Sequence, residues 1–159
     1  MKGIYAGSFS PPTSGHLDII RRAAQVLDEV VVAILVNPEK KYIFSAEKRA
    51  EWLTRAVKGI DNVRVVWDNG LLVDVAGRYG AGVIVRGVRG TADLEYEMTL
   101  ADANRHLSGI DTMFFPSRPE LGFISSTVVM DIARHGGSIR GLVPDAIADD
   151  IVSSIKESC

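Results

Sequence analysis

Residues 30–36, Val-Val-Val-Ala-Ile-Leu-Val, form an unbroken aliphatic run with no polar residue at odd or even positions. A strand with one wet face would alternate, so this run reads as a strand buried on both faces, inside a parallel sheet. It is also far shorter than the ~20 apolar residues a membrane-crossing helix needs. Four further runs, at 3–6, 63–67, 82–85 and 112–115, are similarly apolar and rich in β-branched or aromatic residues.

Helical patterns separate these runs. Leu17, Ile20, Ala24 and Leu27 make one stripe, and Ala46, Ala50, Leu53 and Val57 a second, with Ser45 placed as N-cap. Further helices are predicted over 71–79, over 94–107 after Asp93 as cap, and over 128–134 between Ser125-Ser126 and Gly136-Gly137. A last one is predicted over 144–156, with Pro144 in its first turn. Strand–helix alternation with short connections implies right-handed crossovers and an α/β, doubly wound, five-stranded parallel sheet of Rossmann-like type. The 159 residues suit a single domain, 1–159, with a substantial core. Ligands of such sheets lie beyond the carboxyl ends of the strands, which directs attention to the loops there.

The first of these loops is Gly7-Ser8-Phe9-Ser10-Pro11-Pro12-Thr13-Ser14-Gly15-His16. Gly7 permits a sharp turn, the prolines stiffen the loop, and Thr13 or Ser14 can cap the helix that follows. His16 then falls where free N–H groups and the helix dipole favour an anion. The second strand ends in Asn37-Pro38-Glu39-Lys40-Lys41, the fourth in Arg86-Gly87-Val88-Arg89-Gly90, and the fifth is followed by 121–127, Leu-Gly-Phe-Ile-Ser-Ser-Thr. Taken singly, each is explained as solvated charge, surface ion pairs or helix caps. Together they gather Lys40, Lys41, Arg86, Arg89, His16 and two helix starts at one sheet edge, in a chain of net charge −2. Local cations against an acidic balance point to a polyphosphate site. The same balance offers no field to attract nucleic acid or an anionic membrane.

Other chemistries are absent from the pattern. There is no G-x-x-x-x-G-K-[ST] loop and no G-x-G-x-x-G after the first strand. No Ser-His-Asp arrangement stands out. His16, His106 and His135 are scattered, so no metal-ligand spacing is seen. The lone Cys159 cannot form an internal disulfide, and no signal-peptide pattern opens the chain; a reduced, cytoplasmic setting is expected.

The loop ending Thr13-Ser14-Gly15-His16 resembles the first signature of the nucleotidyltransferase superfamily, T/H-x-G-H, and Ile124-Ser125-Ser126-Thr127 resembles its second. The ordered set between them narrows the likeness. Asn37-Pro38-Glu39-Lys40-Lys41, Ile84 through Arg89, Asp93 through Met98, and Asn104-Arg105-His106-Leu107 are similar to the bacterial phosphopantetheine adenylyltransferases over nearly the whole chain. Ala6, Ser10, Leu121-Gly122 and Met130 depart from the usual family residues.

That resemblance implies transfer of AMP from ATP to 4′-phosphopantetheine, with release of dephospho-coenzyme A and pyrophosphate. It implies magnesium, held mainly through ATP phosphates and water, and a homohexamer with coenzyme A as a possible product-side ligand. Ser8, Lys40, Leu72 and Arg86 would hold phosphopantetheine. Ser8, Phe9, His16, Gly87, Val88, Arg89, Glu97, Leu121, Gly122, Phe123, Ile124, Ser125, Ser126 and Thr127 would hold ATP. His16 would stabilise the transition state, with Lys40 and Arg89 beside it in catalysis. The nucleophile is an ionised phosphate, so positioning and charge stabilisation suffice without a strong base. Two alternatives stay open: adenylylation of another phosphorylated acceptor such as nicotinate mononucleotide, or nucleotide sensing without turnover.

Overall fold

The computed structural model describes residues 1–158; Cys159, on which the compartment expectation rests, lies outside them. Five strands, β1 (Lys2–Gly7), β2 (Glu29–Val36), β3 (Val63–Asn69), β4 (Val83–Val88) and β5 (Asp111–Pro116), form one sheet in the order β3-β2-β1-β4-β5. Every pairing is parallel. The helices are α1 (Ser14–Val26), α2 (Ala46–Ala56), α3 (Leu72–Tyr79), α4 (Thr91–Ser108), α5 (Ser126–Arg134) and α6 (Asp145–Ser158). A short 3-10 turn, Pro119–Leu121, precedes α5.

The two faces of the sheet follow from strand parity. Tyr5, Val30, Val32, Ile34, Val83 and Val85 pack under α1 and α2, against Leu17, Ile20 and Leu53. Ile4, Ala6, Val31, Ala33 and Ile84 point the other way, against Val73, Val75 and Ala76 of α3. Residues 30–34 of β2 are fully buried, as the unbroken aliphatic run requires. The expectation of two covered faces fails at the edges: β3 leaves Arg64 and Trp67 exposed, and β5 is only half-buried. An edge strand has one neighbour and less cover, so it tolerates charge and aromatic surface.

Two boundaries also differ from the sequence expectation. Arg86, Gly87 and Val88 belong to β4 rather than to a loop after it, because they pair with Phe114, Phe115 and Pro116 of β5. Asp93 does not cap α4; the helix starts at Thr91 with Gly90 at the cap, and Leu94 N–H donates to the Gly90 carbonyl at 2.9 Å. Ser45 does cap α2, accepting from Lys48 N–H at 3.1 Å.

A third cluster lies beyond the sheet, where α5 and α6 pack on α2 through Trp52, Val129, Ile147 and Ile151. Asp150 of α6 fixes this contact, accepting from Trp52 Nε1 at 2.8 Å, Arg55 Nη1 at 2.9 Å and Lys48 Nζ at 3.0 Å. The chain winds outward from β1 to β3, then crosses to β4 on the other side of β1. The strand order therefore switches between β1 and β4, and a cleft opens at their carboxyl ends.

Candidate active site

Thr13 and His16 organise the start of α1. Thr13 is extended and its Oγ1 accepts from His16 N–H at 3.2 Å, while Thr13 N–H donates back to His16 Nδ1 at 3.0 Å. This reciprocal pair satisfies two helix-start donors at once. It also sets the tautomer: Nδ1 accepts from a backbone N–H, so the ring proton sits on Nε2. The imidazole packs edge-on against Phe9, ring centroids 4.8 Å apart, and beside Tyr5. Burial, aided by the charges of Arg89 and Arg86, lowers its pKa to about 4. His16 is thus a neutral Nε2–H donor at physiological pH. Ser14 plays a different part, its hydroxyl donating to the Gly141 carbonyl.

His16 lies in the wall of a cavity of about 310 Å³ at the carboxyl ends of β1 and β4. Ser8, Phe9, Arg86, Gly87, Arg89, Glu97, Leu121, Ile124, Ser125 and Ser126 share that wall, so most of the expected nucleotide residues are brought together. Lys40, Leu72, Val88, Gly122, Phe123 and Thr127 do not line it. Lys40 is exposed on the turn after β2. Leu72 opens α3 and packs on the opposite sheet face, while Val88 is buried. Phe123 is 61% exposed, and Thr127 lies on the outside of the first turn of α5.

Arg86 and Glu97, expected on the acceptor and ATP sides of the site, are bound to each other. Arg86 Nε and Nη2 donate to the two carboxylate oxygens of Glu97 at 2.7 and 2.6 Å, and Nη1 donates to the Ala6 carbonyl at 2.9 Å. Glu97 is the one buried side chain of α4, and both its oxygens serve Arg86. It orients the cation while itself forming part of the cavity wall. The strand that carries Arg86 and the strand that precedes Lys40 are not neighbours, since β1 lies between β4 and β2.

Arg89 reaches across the cavity mouth, with Nη1 3.5 Å from the Ile124 carbonyl, and its backbone N–H donates to Asp93. Ser125 caps α5, accepting from Val128 N–H at 3.1 Å, and Ser126 Oγ donates to the Pro11 carbonyl at 2.8 Å. The second signature is thereby tied to the first. A Cβ at Gly87 would stand 3.0 Å from Ile19 Cγ1, so the Ile19 side chain would have to shift by a few tenths of an ångström to admit it.

Sequence reasoning missed Tyr5, whose phenol burial pushes above its ordinary pKa range, and the wall residues Ala6, Ile19 and Ser117. It read Asp93 as a cap and as the start of a family-like stretch, not as part of the cavity wall. The spacing Thr13-x-x-His16 was a usable signal, since three residues is the separation of a capping pair.

The chain matches the cytidylyltransferase-like family over residues 4–132. It is 44% identical over 153 residues to the phosphopantetheine adenylyltransferase of Clostridium novyi (strain NT), covering 96% of this chain and 95% of that protein. To the phosphopantetheine adenylyltransferase of Clostridium tetani it is 47% identical, covering 93% of each. The chain belongs to the phosphopantetheine adenylyltransferase family. Among solved structures, a putative nicotinate-nucleotide adenylyltransferase from Vibrio parahaemolyticus superposes with a TM-score of 0.68 over 96% of this chain and 94% of that one. Its identity is 16%, so that likeness concerns the fold. The cavity of this family member is the one built around His16.

Proposed function

We propose that the protein transfers the adenylyl group of ATP to 4′-phosphopantetheine, forming dephospho-coenzyme A and pyrophosphate. An oxygen of the acceptor phosphate attacks the α-phosphorus, and the bond from that phosphorus to the bridging oxygen of the β-phosphate breaks. The observation that carries the reading is the neutral His16 Nε2–H donor, held by Thr13 in a cavity that also contains Arg86 and Arg89. It meets the charge that develops on the α-phosphoryl group, and no general base is required.

Arg89 and the first-turn amides of α5 take the β- and γ-phosphates. Arg86, with two N–H groups left after its bonds to Glu97 and Ala6, takes the acceptor phosphate together with Ser8. The assignment of Lys40 and Leu72 to the acceptor rests on the family likeness alone. Among the described residues no three metal-ligating side chains gather. The two carboxylates of the cavity wall are engaged, Glu97 by Arg86 and Asp93 by Arg89 N–H. The residues therefore build no magnesium cage, and in this reading the ion arrives on the triphosphate, where it neutralises phosphate charge.

The same reading includes a homohexamer in the cytoplasm, and coenzyme A as a product-side ligand. No helix among the described residues is long and apolar enough to cross a membrane. Pyrophosphate release from ATP, measured against a panel of acceptors, tests the assignment. Phosphopantetheine should support turnover, whereas pantetheine, lacking the ionised nucleophile, should not. Faster turnover with nicotinate mononucleotide would overturn the choice of substrate, and ATP binding without any turnover would make the protein a sensor. Light scattering at micromolar concentration that shows only monomer would refute the hexamer.

A further inference from the structure

Arg49, the fourth residue of α2, is 1% exposed. The ion pairs of α2 are made by Lys48 and Arg55; Arg49 makes none among the described residues. Its partners are carbonyl oxygens and a ring. Nε donates to Phe44 and Ser45 at 3.1 and 3.2 Å, Nη1 donates to Ser8 at 2.6 Å, and the guanidinium lies 4.2 Å from the centre of the Tyr42 ring. Burial lowers its pKa. A cation at this depth carries a desolvation cost that an apolar side chain of similar length would avoid, so filling space does not explain it.

The short bond to Ser8 falls on an unusual peptide. Phe9, the next residue, has φ +46°, a left-handed conformation rare for a residue with a side chain. The Phe9 ring is 2% exposed and locked against Tyr5 and His16. The Ser8–Phe9 peptide is trans, so its carbonyl and N–H point in opposite directions. Arg49 takes the carbonyl from outside the cavity, whereas Ser8 and Phe9 both line it. Phe9 N–H donates to no acceptor among the described residues.

We propose that Arg49 is a positioning residue of the phosphate site: by bonding the Ser8 carbonyl from behind, it turns the Ser8–Phe9 peptide so that Phe9 N–H faces the cavity and receives a phosphate oxygen of the nucleotide. The charge on Arg49 also polarises that peptide and makes its N–H a better donor. Tyr42 extends the arrangement to the loop after β2, because its hydroxyl accepts from Asn37 N–H at 3.2 Å. The inference rests on the phosphate site proposed above.

Protein labelled with ¹⁵N-phenylalanine and titrated with ATP provides the test. The chain has five phenylalanines. Phe114 and Phe115 of β5 report on the fold, and Phe9 reports on the peptide. In the native protein the Phe9 amide resonance should move downfield on ATP addition. In Arg49→Met that movement should be largely lost and ATP should bind about tenfold more weakly or worse, as expected for one charge-assisted bond, while the β5 resonances hold. Arg49→Lys keeps the charge but not the fork, and should fall between; it carries the comparison if Arg49→Met does not fold. A Phe9 amide unmoved by saturating ATP in the native protein would overturn the inference. So would an Arg49 variant that keeps both the Phe9 response and native affinity. Failure of the native protein to bind ATP at all would instead bring down the phosphate site itself, and this inference with it.

Discussion

Lowering the pH from 7 to 5.5 should leave His16 uncharged. Its pKa is held near 4 by burial and by Arg89 and Arg86, and its Nδ1 is engaged by Thr13 N–H. At pH 5.5 an ordinary imidazole is about 90% protonated, whereas one with a pKa of about 4 is only ~3% protonated. The sign of the stability effect follows from proton uptake. Between pH 6.5 and about 4 the unfolded chain binds a proton at this residue that the folded chain refuses, so stability is fully present above pH 6.5 and declines toward pH 4. The drop amounts to about 2–3 kcal/mol, the lower figure allowing for solvent in the cavity. A carbon-detected titration of the ring, assigned by the signal lost in His16→Gln, measures the pKa directly. His16→Gln should show a shallower loss of stability over the same pH range and a large fall in kcat, because one well-placed transition-state donor contributes roughly 2.7–4 kcal/mol. A His16 ring that titrates near 6.5, or a His16→Gln enzyme with near-native kcat, would refute the picture of a buried neutral donor.

Thr13→Ala removes the oxygen that accepts from His16 N–H and should cost about 1 kcal/mol, read as a melting temperature roughly 2–4 °C lower, together with reduced kcat as the imidazole loses its restraint. Glu97→Gln leaves the Arg86 cation without its counter-charge and should cost about 3 kcal/mol, with a weaker acceptor affinity in direct titrations; unchanged stability would mean that solvent already compensates Arg86. Asp150→Ala breaks the contact of α6 with Trp52, Lys48 and Arg55 and should lower stability by about 2 kcal/mol with little change in kcat, since Asp150 does not line the cavity. The bonds from Trp52 and then Lys48 hold the Asp150 carboxyl below its usual pKa, so its stabilisation is present above the ordinary carboxylate range and lost on acidification through the lowered value.

The sheet was legible because its signal is local. Residues 30–36 can be buried on both faces only where neighbours flank them on both sides, and the stripes Leu17–Ile20 and Leu53–Val57 have one apolar side each. Periodicity does not say where a sheet ends, and so the edge strands β3 and β5 were read as more buried than they are. Strand length escaped for the same reason: Arg86 joins β4 because β5 stands beside it, a fact carried by residues about thirty positions away.

The cavity was half legible. Turn residues, a histidine at a helix start and cations after strands mark the carboxyl edge, because anion chemistry there depends on residue type and on helix starts, both visible along the chain. What each cation does is not a local property. Arg86 was legible as a phosphate ligand, but its bonds to Glu97 were not; nor was the position of Lys40, which stands across β1 and outside the cavity wall. Arg49 gave no signal at all, since an arginine in the first turn of an amphipathic helix looks solvated until the helix is placed against Ser8. Sequence by itself determined which chemistry the chain can perform, through residue types and their order along the strands. Tertiary structure decided which charges are already paired and which backbone groups are held open, because pairing and burial depend on distances between segments that the sequence keeps far apart.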